Sequence, residues 1–174
     1  MAIRKILTEG DEVLRKKSKP VVNFDKGLKD LFQDMEETLI KADGAGISAV
    51  QVGILKRAFI VREKKKFIYV VNPEIISTSG SCKYKAEGCL SVPEKVGEVE
   101  RPDEVVAKFQ DLDGNYVERT FKGFNAKAFC HEYDHLDGIL YIDKASVMFE
   151  NYDEYFKFRE KREKEKEKEN KKSK

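Results

Sequence analysis

The chain of 174 residues contains two histidines, and they stand four apart in Phe129-Cys130-His131-Glu132-Tyr133-Asp134-His135. On an α-helix, positions i and i+4 share a face, so both imidazoles can reach one metal ion. Glu132 points to the side of that pair, where a carboxylate can take a proton from a water on the ion. Two solvent-facing histidines on an amphipathic helix are the alternative. The intervening glutamate and the buried character of the flanking sequence favour a metal site. A catalytic site of this kind needs a third protein ligand and one position left for water. There is no third histidine. Glu150 and Glu154 lie downstream, as in an H-E-x-x-H peptidase. Cys130 is rotated by about 100° from His131 on the helix and misses the ion. Cys82 sits in an ordinary polar segment. Cys89, in Glu87-Gly88-Cys89-Leu90-Ser91, is the preferred third ligand, with a glutamate kept as the alternative.

Several elements must hold these groups. Leu28, Leu31, Phe32, Met35 and Leu39 recur at helical spacing from Asp25 to Ala42, with Asn23 or Asp25 as cap. Residues 11–18 read as a shorter helix before Pro20. Gly44 and Gly46 let the backbone approach something closely. They lack the lysine and the third glycine of a phosphate loop, which argues against nucleotide binding. Strands are expected at Arg57–Arg62, Phe67–Asn72, Pro73–Ser79, Glu104–Asp111 and Asn115–Phe121, the last two joined through Asp113-Gly114. Gly123–Leu136 is the metal-site helix. Met148 to about Lys168 is a last helix, apolar at its start and then purely charged.

The length suits one domain, taken as residues 1–158 followed by a charged, solvated tail over 159–174. The net charge of +2 argues against wholesale nucleic-acid binding. It divides into +4 for Arg159–Lys174 and −2 for the rest. From Glu163 to Glu169 Glu and Lys alternate, so i+3 pairs attract while i+4 pairs repel, and the helix is expected to fray past roughly residue 165. Contact of this tail with an anionic partner such as ribosomal RNA is the functional alternative. Three cysteines with no framework spacing suit a reducing compartment. Neither a signal-peptide core nor a membrane-length apolar run is present, and a cytoplasmic protein is expected.

Three stretches together resemble the peptide deformylase family. They are Gly44-Ala45-Gly46-Ile47-Ser48-Ala49-Val50-Gln51, Glu87-Gly88-Cys89-Leu90-Ser91 and His131-Glu132-Tyr133-Asp134-His135. They match G-x-G-[LI]-A-A-x-Q, E-G-C-L-S and H-E-x-D-H in order, and the similarity runs from about Ile6 to Ile142. Ser48 stands where the family has its first alanine, and Cys130 where many members have Gln. Neither departure is expected to touch the chemistry.

The resemblance implies an α+β fold, with mixed, mainly antiparallel strands around a central metal-bearing helix and helices at both ends. It implies Cys89, His131 and His135 as ligands of one divalent ion, usually Fe(II), with Zn(II), Ni(II) or Co(II) able to substitute. The implied reaction is removal of the formyl group from formylmethionine of nascent polypeptides, releasing formate. A metal-bound water attacks the formyl carbonyl, with Glu132 as general base and then acid. Gln51 and the backbone N–H of Leu90 are the implied oxyanion donors. Gly46 is implied in backbone pairing with an extended peptide, and Ile47 with residues of the metal-site helix in a methionine pocket. Glu87 is expected to position the Cys89 loop by pairing with Arg101, and Asp134 to act around the site.

Overall fold

The computed structural model describes residues 2–172, without the side chains of Lys171 and Lys172, so the ends of the N-terminal and tail readings (Met1, Ser173, Lys174) lie outside the described residues. Helix α1 spans Lys26–Ala42, and Asp25 caps it by accepting the Leu28 N–H at 3.0 Å. Its five periodic apolar residues are all buried. Asp43 closes it in the left-handed conformation (φ 50°), its N–H turned back to Ile40 and Leu39 carbonyls. The expected helix over 11–18 is one 3₁₀ turn at Glu12–Arg15.

Antiparallel strands β1 (Gly46–Ser48), β2 (Ala58–Glu63), β3 (Lys66–Ser79), β6 (Glu104–Gln110) and β7 (Tyr116–Lys122) form a sheet in the order β1-β2-β3-β6-β7. The two strands expected over 67–79 are one, β3, with register shifts between Val71 and Glu74 and between Ile75 and Ser77. Asn72 lies at φ 49°, and its side-chain amide exchanges two 2.8 Å hydrogen bonds with the Val21 backbone. These external bonds accommodate Pro73, which cannot donate to the ladder, as a bulge rather than a break.

A second sheet, β4 (Ala86–Cys89), β5 (Val92–Glu98) and β8 (Val147–Phe149), has the order β4-β5-β8. None of the three is foreseen in the sequence. Between the sheets runs α2 (Phe124–His135), whose residues 126–132 are all buried. It packs on β1, β2 and β7, and Phe129 meets Phe59 and Phe121 edgewise or tilted at 5.1 and 4.6 Å.

Helix α3 runs from Tyr152 to Lys172, across the boundary drawn at residue 158 and past the expected fraying point. Tyr155 and Phe158 pack on Phe149 of β8, and Arg162 pairs with Glu98 of β5 at 2.9 Å. These contacts supply the nucleus that an isolated helix must form unaided. From there the run holds no Gly, Pro or β-branched residue, so its favourable propensities carry it on. Among the described residues no helix is long and apolar enough to cross a membrane.

Candidate active site

His131 and His135 project from one face of α2, with their Nε2 atoms 3.1 Å apart. The β4–β5 hairpin brings Cys89 Sγ to 3.4 Å from His135 Nε2. The three donor atoms lie within 4.8 Å of one another, the one such group among the described residues. Glu150 and Glu154 do not join it. Both are exposed at the start of α3, where Glu154 accepts the Glu150 backbone N–H. Cys130 is buried on another side of α2, and burial pushes its thiol up to about 11. All three cysteines are free thiols.

The donor set fits a divalent cation. Two imidazole nitrogens and a thiol sulfur converge between α2 and the β4–β5 hairpin, and the sulfur is also faced by the Ser91 N–H at 3.4 Å and by Gln51 Nε2 at 3.6 Å. Glu87 Oε1 accepts from His131 Nδ1 at 2.6 Å, which turns Nε2 toward the centre. Burial opposes a charge on His131. Hydrogen bonds to Cys89 and Glu87, and the negative charge of Cys89 and Glu132, outweigh it and raise His131 well above its ordinary value. Burial, and then the positive charge on His131, lower His135. Imidazole nitrogens must be unprotonated to bind an ion, so a proton and a metal ion would compete for this centre.

Behind the ligands lies an ion-pair hub. Arg101 forks onto Glu87 through Nη2 at 2.7 Å and Nε at 3.1 Å, and reaches Asp134 through Nη1 at 2.6 Å. Lys144 donates to the other Asp134 oxygen at 2.8 Å. Burial would raise the Glu87 carboxyl, but hydrogen bonds from His131 and Arg101 hold it at about 2. The expected Glu87–Arg101 pair is thus present, and Glu87 also orients a ligand.

Glu132 is 3 % exposed and reaches the cavity beside His131. Burial pushes its carboxyl up to about 7, against the pull of the His131 charge and a hydrogen bond from Ser48. Ser48 Oγ lies 2.6 Å from Glu132 Oε2 and 3.0 Å from the Glu132 carbonyl oxygen. The alanine-to-serine departure therefore does touch Glu132, the residue expected to act as base, because β1 lies directly against α2. Gly46 follows from the same approach: a Cβ there would stand 2.6 Å from Glu132 Oε1.

Strand alternation sends Ile47 the other way, into the core with Leu28 and Phe32, so its side chain does not line the cavity. Its backbone lies on β1, the edge of the larger sheet. Gln51 is buried in the 3₁₀ turn Ala49–Val52. Its Oε1 accepts the Ser48 N–H at 2.8 Å, and its Nε2 donates to Ser91 Oγ at 3.0 Å and faces Cys89 Sγ at 3.6 Å. Leu90 sits in the β4–β5 turn, on the same cavity of about 410 Å³. The contacts of Ser48 with Glu132 and of Ser91 with Gln51 are missed from sequence; the signals available were the motif departure and the motif's closing serine.

A sheet-flanked helix carrying two histidines, met by a hairpin cysteine, forms a Cys–His–His group that could hold a metal ion, with a buried glutamate beside it. The family model for polypeptide deformylase matches residues 3–150. The peptide deformylase of Caldicellulosiruptor bescii is 52% identical over 145 residues, covering 83% of this chain and 87% of the relative. The crystal structure of peptide deformylase from Thermotoga maritima superposes with a TM-score of 0.82 at 41% identity, covering 84% of this chain and 100% of that one. A Met-Ala-Ser-bound crystal structure of the class I type b peptide deformylase from Acinetobacter baumannii gives 0.79 at 36% identity, covering 83% and 100%. The chain belongs to the polypeptide deformylase family, a family of metal-dependent enzymes.

Proposed function

We propose that this chain hydrolyses the N-formyl group from the N-terminal formylmethionine of newly made proteins, releasing formate, in the cytoplasm. The observation that carries the reading is the Cys89, His131 and His135 group, of which Cys89 and His131 line one cavity together with Glu132 and Gln51. Cys89, His131 and His135 would hold one divalent ion, Fe(II) by family habit, with Zn(II), Ni(II) or Co(II) as substitutes. When bound, such an ion supplies Lewis acidity, polarising the formyl carbonyl and acidifying a water.

The chain's own residues do the rest. Glu132, poised near 7, takes the proton of the attacking water and passes it to the departing nitrogen as the C–N bond breaks. Gln51 offers the N–H now facing Cys89 to the oxygen that gains charge at the formyl carbon, and the Leu90 N–H is the second donor. The free edge of β1 at Gly46 pairs with the extended peptide backbone. The Acinetobacter baumannii relative crystallised with Met-Ala-Ser supports a peptide of this length. Residues 1–158 form the catalytic body in this reading. The basic run from Arg159, mostly exposed over its described part, is the contact with ribosomal RNA.

The test is anaerobic purification and a formate-release assay on formyl-Met-Ala-Ser, with Glu132→Gln and Cys89→Ser beside the wild type. Glu132→Gln is expected to retain metal and lose activity by about 10²–10⁴-fold, the range for a general base. Cys89→Ser is expected to lose the metal. A folded, metal-loaded wild type that releases no formate would overturn the proposal.

A further inference from the structure

Lys127 stands one turn before His131 on the cavity face of α2, and it is 5 % exposed. A lysine buried this deeply is rare unless it is paired. Its ammonium donates to the Ala86 carbonyl on β4 and lies 5.6 Å from the centroid of the Phe124 ring. An ammonium carries three donors, and among the described residues Ala86 is the one hydrogen-bond acceptor it has. Burial lowers its pKa, partly offset by the charges of Glu87 and Cys82, as expected of a cation short of solvation. The reaction proposed above does not use it. The cavity wall that it shares carries the apolar side chains of Phe124, Ala128, Leu90 and Val92 among polar ones. One helical turn, about 5.4 Å, separates it from His131, roughly the reach of a methionine side chain from its α-carbon.

We infer that Lys127 is a specificity-determining residue that donates to an acceptor at the end of the substrate's first side chain, so that formyl peptides beginning with methionine sulfoxide are taken as substrates. The inference rests on the deformylase reading. A thioether sulfur is a weak acceptor. Its sulfoxide is polar and would normally be refused by an apolar pocket. Here the under-used ammonium replaces the water that the sulfoxide oxygen gives up. The formyl group is hydrolysed as before, and the sulfoxide itself does not react.

The experiment compares kcat/KM for formyl-methionine-sulfoxide-Ala-Ser and formyl-norleucine-Ala-Ser, the second having no acceptor. It uses the metal-loaded full chain as wild type, Lys127→Met and Lys127→Gln. The inhibition constants of the two deformylated peptides give the same comparison without turnover. Lys127→Met is expected to lower the sulfoxide-to-norleucine ratio by about tenfold or more, the scale of a lost charge-assisted hydrogen bond. Lys127→Gln, which keeps a shorter N–H donor, is expected to lower it less, and it serves alone should the methionine variant not fold. A ratio that falls by less than about threefold in every folded variant overturns the inference. A wild type inactive on formyl-Met-Ala-Ser overturns the deformylase reading and this inference with it. An active wild type with an unmoved ratio overturns this inference alone.

Discussion

Replacing Ser48 by Ala removes one hydroxyl from a place where it has a single proton to give and two oxygens within reach. The carboxylate contact, at 2.6 Å, is the shorter, and both residues are buried, so the bond favours ionised Glu132. A hydrogen bond to a charged group is worth ~1.5–3 kcal/mol. When Glu132 is protonated, the hydroxyl can turn to the main-chain oxygen and recover part of that, which leaves ~1.4 kcal/mol between the two states, or about one pH unit. Glu132 lies near 7 with the bond in place. The acid limb of the kcat/KM profile should therefore move about one unit to higher pH in Ser48→Ala. Below the limb the rate should fall about tenfold, with convergence at high pH. The assay is formate release from formyl-Met-Ala-Ser between about pH 5 and 9, at equal metal content. Superimposed profiles would mean that Ser48 merely fills space, and a shift toward acid would refute the reasoning.

The Gly46→Ala methyl would collide with the Glu132 carboxylate, which can swing away. The fold should survive, with a Tm within a few degrees of wild type, while kcat/KM drops by about 10² or more because the base is displaced. Glu87→Ala leaves Arg101 buried with half its partners gone and His131 unoriented. A loss of about 3–5 kcal/mol in urea unfolding is expected, together with weaker metal retention in dialysis. Asp34 is held below its usual value chiefly by the Ala2 N–H, against burial, and then by Arg4. Its contribution to stability is present above the ordinary aspartate value and is lost as pH falls through the lowered one. Amide exchange at residues 2–4 should therefore accelerate in strong acid, and Asp34→Asn should show faster exchange already at neutral pH. Equal exchange in the two proteins would refute it.

What the sequence made legible was local. Asp25 and the five apolar residues of α1 carry a helix period and a cap, and Asp113-Gly114 marks the β6–β7 turn, with Gly114 at φ 87°. The i, i+4 histidines depend on one helix and needed nothing else. Cys89 as the expected third ligand did not follow from periodicity, because it meets His135 only when a distant hairpin docks; its glycine-preceded segment favoured it and motif order strengthened the choice. Strands β4, β5 and β8 went unseen for the same reason. Glu87-Gly88-Cys89 shows no alternation, and Val147-Met148-Phe149 reads as readily as a helix start, so their pairing is decided by partners far along the chain. Ile47 looked like a pocket residue because its neighbours belong to the site, and it is the alternation of β1 that turns it into the core.

Strand β8 and the first turns of α3 also set an order of events during synthesis. Strand β5 ends at Glu98, but its second partner begins at Val147, and Tyr152, which lines the cavity near Gly88, comes later still. At about 5–20 residues per second, the hairpin that carries Cys89 waits roughly 3–10 s for that edge to be covered. Until then its outer N–H and C=O groups are an open template for any passing strand. Its Cys89 thiol has Gln51 and Ser91 beside it from the start and gains His135 only once α2 is made. The newborn protein is thus most exposed to misassembly and to thiol oxidation in the interval between making its ligands and making the helix that closes over them.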